Sequence, residues 1–204
     1  MINLFSYLLH DEFIDNFDLV QDKLIDFCYQ EKEKFTVGLQ VSNGENAWHS
    51  EKEYYKKNNI LSETVQLFLN NYFDKNNIFK NGTGFYMNSL WFMVNPKGGY
   101  NHKHQHFHKT DCALSGVFWI KVPKNSGDIV FYNPEEYCNY QLDKSYSNII
   151  KNIFNQKNSY SISPQEGKVI LFPSHLSHSV EVNNSNEDRI AISFNINIIP
   201  PKLK

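Results

Sequence analysis

Cysteine is scarce in this chain: Cys28, Cys112 and Cys138 are the only three, an odd number with no C-x-x-C spacing. That fits a reducing compartment better than a disulfide framework. Long apolar runs are missing as well. No segment approaches the roughly 20 apolar residues that a membrane span needs, and the opening MINLFSYLLHDEF lacks the basic region that starts a secretory signal. A soluble protein of the cytoplasm is expected, a host's cytoplasm if the chain is phage-encoded. Charge of one sign is scarce too. Lys and Arg number 20 against 22 Asp and Glu, giving −2 at pH 7, and the lysines are scattered rather than blocked. Nothing therefore pulls the chain toward nucleic acid or an anionic membrane. No internal repeat is visible, and 204 residues suit one domain with a core of its own.

What the chain does contain divides near Gly82. Between Asp11 and Lys34 the apolar residues Phe13, Phe17, Val20, Leu24 and Phe27 recur at three- and four-residue steps, which predicts an amphipathic helix. A second helix is expected from about Leu61 to Phe79. The segment between them, VSNGENAWHSEKEYYKKNN, has no period and reads as an ordered loop. Beyond Gly82 come short β-branched and aromatic runs bounded by turn residues. Strands are expected at 84–95, 101–107, 114–122, 128–132, 159–163, 168–173, 177–183 and 188–198. Strands at that spacing argue for a sandwich or barrel. The organisation expected is a helical segment over 1–82 packed on a β domain over 83–200, with an insertion at 134–157 of a length typical of lids and binding loops.

The most informative stretch is NHKHQHFHK, where His102, His104, His106 and His108 stand at every second residue and make up half of the eight histidines. In an extended segment this spacing sends imidazoles to one face, and imidazole is the commonest protein metal ligand. A six-coordinate ion needs open positions for substrate, so two of the four are expected as ligands. His104 and His106 are the first choice, with His106 and His108 as the rival pair. The third ligand would be His178, which opens SHSVEVN, while His175 in the preceding turn fits the surface or a supporting place. Arg189 opens DRIAISFNINI. Its alternation puts Arg189, Ala191, Ser193 and Asn195 on one face and Ile190, Ile192, Phe194 and Ile196 on the other. An arginine fork beside a serine hydroxyl suits a carboxylate. Trp119 and Lys121 could line the cavity or, equally, be core and surface residues, and Trp48, Tyr54, Tyr55, Tyr137, Tyr140 and Tyr146 could form a substrate cleft.

The ordered set HxH, LSGVFWIKVP, GKVILFPSHLSHSV and RIAISFN resembles the 2-oxoglutarate/Fe(II) oxygenase family related to prolyl hydroxylases, found in bacteria and phages. The likeness covers roughly residues 84–198. It implies a mainly β fold with N-terminal helices around a double-stranded β-helix, the cupin-like jelly roll. It further implies that His104, His106 and His178 hold Fe(II), and that Arg189 binds the distal carboxylate of 2-oxoglutarate with Ser193 and Asn101 nearby. The reaction implied is O₂-dependent hydroxylation of a small molecule or peptide, with release of succinate and CO₂; a homodimer is left open. The chain departs from the pattern in two places. The usual H-x-D or H-x-E is here His104-Gln105-His106, and the serine that often stands two residues after the arginine is Ala191.

Two other readings use the same residues. A cupin-type metalloprotein would take Asp111 as a ligand and leave Arg189 idle. A non-enzymatic jelly-roll module would hold structural zinc, closed by four protein ligands.

Overall fold

The computed structural model describes residues 9–44, 46–78, 83–106, 112–134 and 158–199. Ten strands and two α-helices follow in the order β1 (His10–Phe13), α1 (Gln21–Lys34), β2 (Trp48–His49), α2 (Ile60–Lys75), β3 (Gly84–Asn95), β4 (Asn101–His104), β5 (Leu114–Lys121), β6 (Ile129–Tyr132), β7 (Ser159–Ile162), β8 (Lys168–Pro173), β9 (His178–Val180) and β10 (Arg189–Ile199). A six-stranded sheet has the order β1-β8-β5-β10-β3-β2, and a four-stranded sheet the order β4-β9-β6-β7. Every ladder is antiparallel. From β3 onward the chain changes sheet at each connection except β6 to β7, so neighbours in sequence come to lie on opposite layers.

The six-stranded sheet has two different faces because its strands alternate. One face carries Leu90, Phe92, Val94, Phe118, Ile120, Ile190, Ile192, Phe194 and Ile196, all fully buried. Leu24 and Cys28 of α1 and Leu61, Val65 and Leu69 of α2 cover it. Each such side chain contributes roughly 1.5–3 kcal/mol by leaving water. The opposite face meets the four-stranded sheet, where Trp119, Ile170 and Phe172 pack on Ile129 and Phe131. Toward β3 and β4 that interface is a cavity rather than a packed core.

Helix α2 begins where expected because Asn59 caps it: its side chain accepts hydrogen bonds from the Leu61 and Ser62 amides at 3.0 and 3.1 Å. The first predicted helix is shorter than its period suggests. Residues His10–Phe13 pair with β8 instead, and Asn16 turns the chain through a left-handed conformation (φ 54°) before α1 starts at Gln21. Phe13 and Phe17 thus share a helical step by coincidence. The loop between the helices carries β2 and a short 3-10 turn, Tyr54–Lys56. Strands expected at 84–95 and 168–173 stand at those bounds. The strand expected at 101–107 ends at His104, since the His106 amide leaves the ladder and donates to the Ser174 carbonyl at 2.9 Å. The insertion beyond Pro134 lies outside the described residues. No helix among the described residues is long and apolar enough to cross a membrane.

Gly116 tests how tightly the helix-facing layer is packed. A methyl group there would lie 2.2 Å from the tip of the Phe194 ring, whereas at Gly84 the nearest atom is 3.7 Å away. Gly116→Ala is expected to cost about 1–3 kcal/mol, and Gly84→Ala less than about 0.5 kcal/mol, read from denaturant midpoints.

Candidate metal centre

Three imidazoles converge between the sheets. His104 ends β4, His178 opens β9 directly opposite it in the ladder, and His106 lies two residues past the strand. Their ring centroids are 4.3 Å (His104–His178), 5.0 Å (His106–His178) and 5.2 Å (His104–His106) apart. One nitrogen from each falls within 4.8 Å of the others. A register irregularity makes this possible. Asn101 pairs with Val180 and His104 with His178, so three residues of β4 span two of β9. The bulge lets both Asn101 and His104 line the cavity despite their odd spacing.

Hydrogen bonds decide which nitrogen faces inward. Nδ1 of His104 meets the His102 carbonyl at 2.7 Å, and Nδ1 of His178 meets the Leu176 carbonyl at 2.9 Å. A carbonyl can only accept, so both rings carry their proton on Nδ1 and offer Nε2 as a lone pair. His106 Nδ1 lies 2.9 Å from Asn195 Oδ1 and 2.8 Å from Ser115 Oγ. Asn195 is oriented in turn, because its Nδ2 donates to Ser89 Oγ at 2.8 Å and Ser115 Oγ donates to its Oδ1 at 2.7 Å. Supporting groups of this kind fix tautomer and ring plane in metal sites. Burial holds His106 near a pKa of about 4 and His178 near about 3, and the neighbouring imidazoles add to the effect. Burial also lowers His104. All three are neutral at physiological pH, the state a metal requires.

The centre opens into a cavity of about 610 Å³ lined by residues of both sheets. Arg189 lines it and is only 2 % exposed. Its Nη1 donates to the carbonyls of Ser126, Gly127 (3.2 Å) and Glu181 (3.5 Å), whereas its buried Nη2 has no protein partner. Burial lowers its pKa to about 10, so it remains a cation. Ala191, Ser193 and Asn195 follow it along the cavity wall, as the alternation of β10 predicts. Asn101 is buried there too, its amide donating to Ser42 Oγ at 3.3 Å.

Several expected residues are placed elsewhere. His102 is exposed and packs edge-on against Tyr100 at 4.9 Å, outside the cluster. His175 is exposed in the turn after β8, at the surface as expected. His108, Asp111, Tyr137, Tyr140 and Tyr146 lie outside the described residues. Trp119 lines the cavity, but Lys121 does not: the β5–β10 register shifts at Ile190, and its ammonium pairs with Glu187 at 3.5 Å. Trp48 and Tyr54 belong to the core, Trp48 packed on Phe92 and Tyr54 donating to Glu31 at 2.7 Å; of the three, Tyr55 alone lines the cavity.

The sequence reading missed His49, Lys52 and Trp91. His49 is buried and stacked on Trp91 (5.8 Å, 8°), with its Nδ1 against the Ser50 carbonyl and its pKa lowered to about 4 by burial. Lys52 extends over the same indole at 5.6 Å. The segment that carries His49 and Lys52 has no hydrophobic period to mark it, and Trp91 reads only as an apolar residue of β3.

Residues 89–195 match a family described as "Putative 2OG-Fe(II) oxygenase". Among solved structures, a prolyl-4-hydroxylase from Pseudomonas putida aligns with a TM-score of 0.59 at 14 % identity, covering 94 % of this chain and 93 % of its own. SnoK, a non-haem alpha-ketoglutarate-dependent carbocyclase of nogalamycin biosynthesis, aligns with a TM-score of 0.66 at 11 % identity, covering 93 % and 79 %. HygX from Streptomyces hygroscopicus, holding nickel, 2-oxoglutarate and hygromycin B, gives 0.61 at 7 % identity, covering 94 % and 83 %. At these identities the likeness is one of fold. No curated protein matches the chain.

Two expectations follow from the geometry. Asn195→Leu removes the acceptor that orients His106 and is expected to weaken binding of Co(II) or Mn(II) about 10- to 100-fold, read by competition with a chelating dye. The low imidazole pKa values also set an acid limit. His49, His106 and His178 exclude protons when folded but take them up near pH 6.5 when unfolded. Their contribution is therefore complete above about pH 6.5 and is lost as pH falls toward 4, by up to about 1.4 kcal/mol per imidazole per pH unit. Denaturant midpoints of the metal-free protein at pH 7.5 and 5 check this, with the lower midpoint expected at pH 5.

Proposed function

Because the chain belongs to the 2OG-Fe(II) oxygenase family, and is thus an oxidoreductase that uses Fe(II), 2-oxoglutarate and O₂, we propose that it hydroxylates a small-molecule or peptide substrate held in the cavity between its sheets. We read the fold as a double-stranded β-helix. The strand orders support this: taking β3 as the first of eight, the inner strands run 1-8-3-6 in one sheet and 2-7-4-5 in the other, the interleaving of a jelly roll.

The assignment of roles rests on one observation: a fully buried arginine with an unpartnered Nη2 lines the same cavity as three convergent neutral imidazoles. A buried cationic nitrogen without an acceptor is costly, and a carboxylate would relieve it. In this reading His104, His106 and His178 hold Fe(II) through Nε2, and Arg189 receives the distal carboxylate of 2-oxoglutarate. Ser193 on β10 and Asn101 on β4 offer further polar contacts from the two sheets. Bound there, Fe(II) and 2-oxoglutarate supply an oxidant from O₂, leaving succinate and CO₂ as the 2-oxoglutarate turns over. The chain's own work is positional. Nη1 of Arg189 is pinned by backbone carbonyls, which leaves Nη2 directed at the ligand, and Trp91, Val117 and Trp119 give the cavity apolar walls that limit water. A ligand set of three histidines adds no negative charge, so the dianionic co-substrate meets a more positive site than a carboxylate-bearing triad would present.

The test is turnover: Fe(II)-loaded protein should convert 2-oxoglutarate to succinate, followed by mass spectrometry. Arg189→Ala should weaken 2-oxoglutarate binding by roughly 30-fold or more, and His178→Ala should abolish turnover. Turnover independent of 2-oxoglutarate, or unchanged affinity in Arg189→Ala, would contradict the reading.

A further inference from the structure

The charge lining the cavity is lopsided. Arg189, Lys52 and Lys103 face it, and among the described residues the only acidic one lining it is Glu53. Glu53 is already engaged, its carboxylate bound by Lys56 at 2.5 Å. Lys52 and Lys103 have no carboxylate partner among the described residues. Each instead lies over an aromatic ring, Lys52 over Trp91 at 5.6 Å and Lys103 over Tyr132 at 4.3 Å. They come from different layers, Lys52 from the loop after β2 and Lys103 from β4, so cations flank the cavity from both sheets.

Lys52 lines the same cavity as the three imidazoles; its ammonium lies 5.6 Å from the Trp91 ring centre, and that indole meets His106 edge-on at 5.6 Å. Lys52 is exposed at the cavity's edge, so its ammonium is free to meet an anion, and with no carboxylate beside it among the described residues an incoming oxyanion meets a cation that no other group neutralises. The co-substrate does not remove the excess. In the reading above it brings two negative charges to a site where a divalent metal on neutral ligands would stand with an arginine and two lysines, and the balance among the described residues stays positive.

We infer that the substrate bears an oxyanion, a carboxylate or a phosphate, which Lys52 binds at the mouth of the cavity with Lys103 adding to the field. The ammonium stands on the ring of Trp91, whose indole also stacks on His49, so the anchor is fixed to the rigid strand β3. An anion held there sets how far the rest of the substrate extends toward the three histidines. This inference deepens the proposed oxygenase reading and rests on it.

The experiment uses the whole chain loaded with Co(II) and saturated with N-oxalylglycine, an unreactive mimic of 2-oxoglutarate that occupies the Arg189 side. Inorganic phosphate and acetate are titrated separately and followed by NMR. At least one is expected to bind saturably. Lys52→Gln should weaken that binding at least 5-fold, Lys52→Arg should keep it within about 2-fold, and Lys23→Gln, which removes the same charge from the exposed face of α1, should leave it unchanged. A response to phosphate alone assigns a phosphate-bearing substrate, to acetate alone a carboxylate. Absence of saturable binding by either anion, or equal binding by Lys52→Gln and the native protein, overturns the inference. N-oxalylglycine affinity on the same samples is a separate arm: its failure to bind the native protein overturns the oxygenase reading, not the anion anchor alone.

Discussion

Strand β10 is hydrogen-bonded along both edges, to β3 on one side and β5 on the other, and its pleat divides the molecule. Ile190, Ile192, Phe194 and Ile196 point toward the helices and are fully buried. Arg189, Ala191, Ser193 and Asn195 point into the cavity. Because the side-chain period of a strand is two, these two sets cannot be displaced independently: a slip of one residue would put isoleucines into the cavity and a guanidinium against α1 and α2. The apolar set makes that exchange prohibitive. Packing on one side of the strand thereby holds in register the two polar residues that matter most on the other, Arg189 and the Asn195 that orients His106.

The same economy governs the histidines. His104 and His178 are ladder partners, so their approach is a property of the four-stranded sheet. His106 belongs to neither sheet, and its position depends on two separate constraints. Its amide bonds to the Ser174 carbonyl, and its ring is held by Asn195 and Ser115 on the larger sheet. The centre is thus assembled across the interface of the two layers. Where another chain would present a carboxylate, this one presents an imidazole and supplies it with a polar cradle of Ser89, Ser115 and Asn195.

Much of this was legible where one periodicity dominated. The alternation in DRIAISFNINI placed all eight of its first residues from Arg189 on the correct face, and the bounds of β3 and β8 followed from apolar runs closed by turn residues. Reading failed where two periods could be drawn through the same letters. Phe13 and Phe17 fit a helix, yet the first lies on an edge strand and the second beyond a left-handed Asn16. The row of imidazoles suggested one straight strand, and the bulge between Asn101 and His104 breaks that parity. His49 and Lys52 carry no periodic signal, because a loop's placement depends on what it packs against, here the indole of Trp91, far along the chain. Lys121 was left open between the cavity and the surface, and the register shift that turns it away from the cavity leaves no trace in the letters around it.

The tract from His102 to His108 is self-similar: moved along itself by two residues, it still presents an imidazole at each inward position. Such degeneracy gives the segment a tolerance that a lone H-x-D lacks. An insertion or deletion of two residues in the adjoining turn would exchange one histidine for another, while a carboxylate-bearing motif would lose a ligand. The repeat thus buffers the site against small length changes in its own loop, the kind of variation that loop sequences accumulate most readily.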